Sequence, residues 1–160
     1  MSSEQYNVSG LMPGDVLLYA PSSFFGRAIA WMTSGNVSHV EVYKGGGISY
    51  ASRDGLGVEE YPLRTEQLCG VLRSREPLDM TRMASTFANL KGHGYDWSAI
   101  AKFASGGKLQ GGLGKEICSE FATIVLRAAG MHRLFGAETP DSIAPRDFEK
   151  SDLFWQVWSA

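Results

Sequence analysis

Within Gly114-Lys115-Glu116-Ile117-Cys118-Ser119-Glu120-Phe121, a glycine-rich approach delivers a cysteine to the start of an apolar segment. Phe121, Ile124, Val125 and Ala128 recur at helical spacing from Ile117, and Gly130 stands where a C-cap glycine would end a helix, which predicts Cys118 in a first helical turn. Unpaired backbone N–H groups and the positive end of the helix dipole favour an anion in that turn, and the thiolate is the nucleophilic form of cysteine. A lone free cysteine on a helix is more often a small buried hydrophobe, so Cys118 needs a base nearby before it means chemistry. Cys69, in the apolar run Cys69-Gly70-Val71-Leu72, reads as structural. The histidines His39, His93 and His132 are scattered, which argues against a structural zinc site, and neither metal nor cofactor is expected.

His39 is the histidine with the most informative surroundings. Ser38-His39-Val40-Glu41-Val42-Tyr43, Lys44-Gly45-Gly46-Gly47 and Ile48-Ser49-Tyr50-Ala51-Ser52 read as a β-hairpin, from alternation on either side of the glycines. If Lys44 faces Gly47 across a two-residue turn, Glu41 lies opposite Tyr50 and His39 opposite Ser52. Period-two geometry then predicts His39, Glu41, Tyr43, Tyr50 and Ser52 on one face, with Val40 and Val42 turned into the core. Such a face could receive the helix of a nucleophile. It could equally be a solvent-facing strand side.

The elements that must carry these residues can be read along the chain. Met12-Pro13-Gly14-Asp15 is a turn before the strand Val16–Tyr19. Pro21 opens a helix with Phe24, Phe25, Ala28, Ile29 and Met32 on its apolar face. Leu56-Gly57-Val58 is a turn before a strand over Glu59–Leu63, Cys69–Arg73 is a further strand, and Asp79 precedes a helix with Met83, Ala84, Phe87 and Leu90 inward. Gly92-His93-Gly94 breaks it, Asp96 caps a helix from Trp97 to Ala104, and glycines lead on to the cysteine. Thr139-Pro140-Asp141 and Ala144-Pro145-Arg146 are turns. Phe148, Leu153, Phe154, Trp155, Val157 and Trp158 form an aromatic C-terminal segment expected to close the core as a strand or edge. With 160 residues and 44% hydrophobic content, one domain spanning 1–160 is expected. A formal charge of −2 with interspersed signs argues against a nucleic-acid binder. No apolar run has the length to cross a bilayer, and the polar Met1–Gly10 lacks the pattern of a signal peptide.

The ordered set Pro13-Gly14-Asp15-Val16-Leu17-Leu18, a helix, Ser38-His39-Val40-Glu41-Val42-Tyr43, the Ala51 hairpin with Gly57-Val58, Tyr95-Asp96, and Ile117-Cys118-Ser119-Glu120-Phe121 resembles the circularly permuted NlpC-type papain-like proteins, and among them the YiiX-like hydrolases. The resemblance implies an α+β fold whose antiparallel sheet packs against the helix carrying the cysteine. It implies Cys118 as nucleophile and His39 as base, in the permuted order with histidine first. It also implies a polar third residue just before the alanine of the second hairpin strand. That residue here is Tyr50, a weaker orienting group than a carboxylate, and Glu41 on the His39 strand is the alternative.

What the resemblance implies about activity is a cysteine peptidase or amidase acting through a thioester acyl-enzyme, with bacterial cell-wall (peptidoglycan) peptides as the expected substrate. A lipid or acyl-thioester hydrolase, or an acyltransferase, would use the same pair beside an apolar groove. A non-catalytic binding module on the same fold is the second alternative, with Cys118 buried and remote from His39. The expected setting is synthesis in the cytoplasm and delivery by lysis, a phage particle or a dedicated secretion system. Oligomeric state stays open.

Overall fold

The computed structural model describes residues 7–21, 36–53, 56–91 and 117–160. The helix expected around Phe24–Met32, the loop with His93, the Asp96-capped helix and the glycine-rich approach to Cys118 lie outside the described residues.

Six antiparallel strands form one sheet: β1 (Val16–Tyr19), β2 (His39–Gly45), β3 (Ile48–Arg53), β4 (Gly57–Pro62), β5 (Leu68–Ser74) and β6 (Phe154–Ser159). Their spatial order is β4-β3-β2-β1-β5-β6. Among the described residues the α-helices are α1 (Met80–Leu90), α2 (Ile117–Ala128) and the short α3 (Asp147–Lys150). β1 sits at the centre with all four residues buried, because it feeds two apolar layers at once. Val16 and Leu18 join the larger layer with Val40, Val42, Met83, Phe87, Phe121 and Val125. Leu17 and Tyr19 point the other way, to Tyr43, Leu68 and Val71.

α1 and α2 pack on each other, and α2 lies across β2 and β3. Asp79 caps α1 by accepting from the backbone N–H of Arg82 at 3.0 Å, and Met83, Phe87 and Leu90 form its buried stripe, whereas Ala84, expected inward, is exposed beside that stripe. α2 ends before Gly130, whose φ of 126° is open to glycine and whose Cβ would stand 3.3 Å from the Pro77 carbonyl. The buried Ser119 hydroxyl anchors the start of α2 by donating to the Ile143 carbonyl at 2.5 Å. Burial of each large side chain in this layer contributes about 1.5–3 kcal/mol, which is what fixes α2 against the hairpin.

The hairpin differs from the sequence reading in its register. Val42 pairs with Tyr50, Tyr43 with Ser49 and Gly45 with Ile48, with an irregularity between Tyr43 and Gly45. The tight turn is therefore Gly46-Gly47, not Gly45-Gly46. All three glycines have positive φ (113°, 62° and 76°), so the backbone can turn one residue later and absorb the extra residue as a bulge. A slip of one exchanges the faces of a strand. Tyr50 and Ser52 leave the face of His39 and Glu41, and Ser49, Ala51 and Arg53 take their places.

The C-terminal segment does close the sheet as a strand beside β5. Phe148 and Phe154 are buried, but Trp155 is 56% exposed with the Arg75 guanidinium 3.6 Å above its ring. Trp158 is partly buried against the layer of Leu17 and Val71, so of the aromatics expected to close the core Trp155 is the one that faces outward.

Candidate active site

His39 opens β2 opposite Tyr19 of β1, and its side chain is 19% exposed. Cys118, the second residue of α2, is 6% exposed and stands within hydrogen-bonding reach of the imidazole. On the other side, His39 Nε2 is 3.0 Å from Glu41 Oε1. Glu41 is fully buried two residues along the same strand, as the period of a strand requires for two side chains on one face. The structure thus brings together three of the four sequence-predicted site residues, Cys118, His39 and Glu41, in a row that ends in a carboxylate.

Tyr50 is the residue it does not bring in. The ring lies on the opposite face of the hairpin, stacked on Phe87 with centroids 4.1 Å apart, inside the apolar layer beneath the helices. Burial raises the pKa of its phenol. The expected alternative between Tyr50 and Glu41 as the group on His39 resolves geometrically to Glu41, and the one-residue register difference is the reason.

Glu41 is held from several directions. Ser49 donates its hydroxyl to Oε2 at 2.5 Å, and Arg53 Nε donates to Oε1 at 2.9 Å. Arg64, in the segment between β4 and β5, reaches Oε1 from Nη2 at 3.3 Å. The two guanidinium groups lie over aromatic rings, Arg53 4.0 Å from the Tyr61 centroid and Arg64 4.7 Å from that of Tyr19. Sequence reasoning missed Ser49, Arg53 and Arg64. Ser49 and Arg53 follow from the bulged register, since they flank Ala51 on its new face. Arg64 sits in an irregular segment, where no periodicity points to it.

The electrostatics follow from these contacts. Burial opposes a charge on Glu41, but the His39 hydrogen bond and charge, the Ser49 hydroxyl and Arg53 outweigh it and bring its pKa down to about 2. Burial likewise opposes charge on His39, and hydrogen bonds to Cys118 and Glu41 more than compensate, raising it from 6.5 to about 9. The imidazolium is thus favoured at neutral pH. Tyr19, whose ring centroid is 5.9 Å from that of His39, is pushed well above the usual phenol range by burial and by the charge of Glu41. Burial raises the Cys69 thiol to about 11, and its Sγ is 3.4 Å from the Leu18 carbonyl oxygen.

A search of solved structures finds a match over 93% of this chain and 97% of the other, with a TM-score of 0.63 and 18% identity. The fold is similar to that of YiiX. That structure is the metalloprotein YiiX of Escherichia coli O157:H7. No protein-family model matches the sequence, and no curated protein matches it either. The likeness to YiiX is one of fold, an α+β chain built on a six-stranded antiparallel sheet. YiiX is a metalloprotein, and His39 with Glu41 is a pair in this chain's site that offers metal-ligand side chains. Two guanidinium groups already contact the Glu41 carboxylate and would oppose a divalent cation there. Among the described residues no group of three or more His, Cys, Asp and Glu is arranged to hold a metal ion. The residues present do not fit a metal at this pair. None of the described helices is long and apolar enough to cross a membrane.

Proposed function

We propose that this protein is a cysteine hydrolase of the circularly permuted NlpC-type papain-like kind, with Cys118 as nucleophile, His39 as base and Glu41 as the residue that orients His39. The observation that carries this reading is the row Cys118–His39–Glu41, in which an imidazole lies between a thiol at a helix start and a buried carboxylate. His39 takes the proton of Cys118, and the thiolate attacks the carbonyl carbon of the substrate. The imidazolium returns the proton to the leaving group as the tetrahedral adduct collapses to a thioester. His39 then deprotonates a water that attacks the thioester, releasing the acid and restoring the thiol. The backbone N–H of Cys118 is the first donor to the oxyanion, and loss of one such donor costs about 3 kcal/mol in other enzymes.

The substrate class proposed first is an amide bond of a bacterial cell-wall peptide, on the analogy of fold and residue order alone. A second reading has an observation in its favour. Cys118 belongs to the buried apolar layer that also holds Val37, Val40, Tyr50, Phe87 and Phe121, so the thiol borders apolar side chains as well as His39. Hydrolysis or transfer of a lipid ester or acyl thioester is that second reading. Incubation with purified peptidoglycan, with acyl thioesters and with phospholipid vesicles separates the two by the product released. Cys118→Ser should abolish turnover of whichever is cleaved. Turnover of any of them by Cys118→Ser at the parent rate would overturn the hydrolase reading.

A further inference from the structure

Glu41 is the most enclosed carboxylate of the site, and the way it is enclosed follows from the hairpin register. Extending the Val42–Tyr50 and Tyr43–Ser49 pairs by antiparallel geometry sets Ala51 directly across from Glu41. Ala51 is fully buried and has only a methyl group to offer at that position. Ser49 and Arg53 stand at the two diagonal positions, within reach of a side chain held between them. The small residue opposite leaves room for both to close on the carboxylate, one on each oxygen: Ser49 on Oε2 and Arg53 on Oε1. Oε1 is also the oxygen that receives His39. β3 therefore holds both oxygens of the carboxylate, and one of them, Oε1, also serves His39 of β2.

We propose that Arg53 and Ser49 are positioning residues, which hold the Glu41 carboxylate in the one orientation that engages His39, with Ala51 supplying the space. This deepens the hydrolase reading and rests on it only for the purpose the orientation serves. Arg64 is a weaker third holder, with one contact at 3.3 Å and a half-exposed side chain. Tyr61 beneath Arg53 steadies the guanidinium in its turn, and the Tyr61 hydroxyl is itself tied to the Gly57 carbonyl at 2.8 Å.

A nearby charge and a positioning group predict opposite signs for one measurement. The charged and titratable groups around His39 and Glu41 among the described residues are Cys118 on α2, Tyr19 on β1, Arg53 on β3 and Arg64 beyond β4. If Arg53 acted only as a positive charge near His39, its removal would relieve repulsion and raise the titration midpoint of the imidazole. If it acts by orienting Glu41, its removal frees the carboxylate to turn away, and the midpoint falls towards the ordinary 6.5 of histidine.

The experiment is histidine side-chain NMR titration of the full chain in a Cys118→Ala background, so that Glu41 alone supports the imidazolium. The resonance is assigned by its loss in His39→Gln. Arg53→Met should lower the His39 midpoint by about one unit, a tenfold change in the protonation equilibrium. Arg53→Lys keeps the charge but loses the fork, and should lower it in the same direction by less. Ser49→Ala should also lower it. An unchanged or raised midpoint in Arg53→Met overturns the proposal. Should Arg53→Met fail to fold, Arg53→Lys decides alone, a fall supporting the proposal and an unchanged midpoint overturning it. The titration needs no substrate, so the fall in the Cys118→Ala background, beside a parent chain with Cys118 intact that turns over none of the substrates above, would refute the hydrolase reading and leave the positioning role standing.

Discussion

The two faces of the β2–β3 hairpin show how one strand pair can serve a core and a site at once. One face carries Val40, Val42 and Tyr50 into the apolar layer under α1 and α2. The other carries Glu41, Ser49 and Arg53, a charged cluster with its carboxylate fully buried. The apolar face tolerates any side chains of suitable volume, because burial is non-directional. The polar face tolerates few changes, because each buried donor and acceptor must meet a particular partner. The two are locked together: a register that buries Tyr50 against Phe87 is the same register that delivers Ser49 and Arg53 to Glu41.

The strongest way to break this contrast is Glu41→Gln. It removes the one carboxylate facing two guanidinium groups, and truncating one side of a buried ion pair destabilises by about 3–5 kcal/mol. Chemical denaturation should show that loss, and the His39 midpoint should fall with it. Next is Ala51→Leu, which fills the space that lets Ser49 and Arg53 close. Overpacking of this kind costs about 1–3 kcal/mol, and the Cys118 alkylation rate should drop with stability because Glu41 is displaced. A leucine accommodated without either effect would show that the opposite position is not what admits the diagonal pair.

pH provides a gentler probe of the polar face. His39 is raised from 6.5 to about 9 on folding, so its contribution to stability is complete below pH 6.5 and is lost as pH rises through 9. Glu41 is lowered from 4.5 to about 2, so its contribution is complete above pH 4.5 and is lost as pH falls towards 2. Denaturation midpoints measured across pH should therefore be highest between about 4.5 and 6.5 as far as this pair is concerned, and His39→Gln should flatten the alkaline decline. The smallest effect belongs to the apolar face. Tyr50→Phe keeps the ring stacked on Phe87 and removes only a hydroxyl remote from His39, so stability should change by less than about 0.5 kcal/mol and Cys118 alkylation should be unaffected. A marked loss of alkylation in Tyr50→Phe would return Tyr50 to the site.

Much of the fold was legible because its signals are periodic or punctuated. The strand Val16–Tyr19, the cap at Asp79 with its Met83, Phe87 and Leu90 stripe, and the helix from Ile117 to Ala128 all follow from spacing and from residues with strong positional preferences. The proximity of Cys118 and His39 was legible only through the order of motifs, since nothing local links residues so far apart in sequence. The partner of His39 was ambiguous because three consecutive glycines offer more than one turn. Gly45-Gly46 and Gly46-Gly47 are nearly equivalent as local choices, and the decision lies in long-range packing of Tyr50 against α1 and of Glu41 against two arginines. Arg64 was hidden altogether, because it acts from an irregular segment.

The account stands or falls on whether Cys118 is activated by His39. Alkylation by limiting iodoacetamide at pH 6.5, with each cysteine quantified by mass spectrometry, tests this without a substrate. The folded protein should label Cys118 well before Cys69, whose thiol is held near 11, and His39→Ala should slow the labelling of Cys118 by at least about tenfold while leaving that of Cys69 unchanged. Equal labelling of the two cysteines, indifferent to His39→Ala, would make Cys118 an ordinary core thiol and contradict the account.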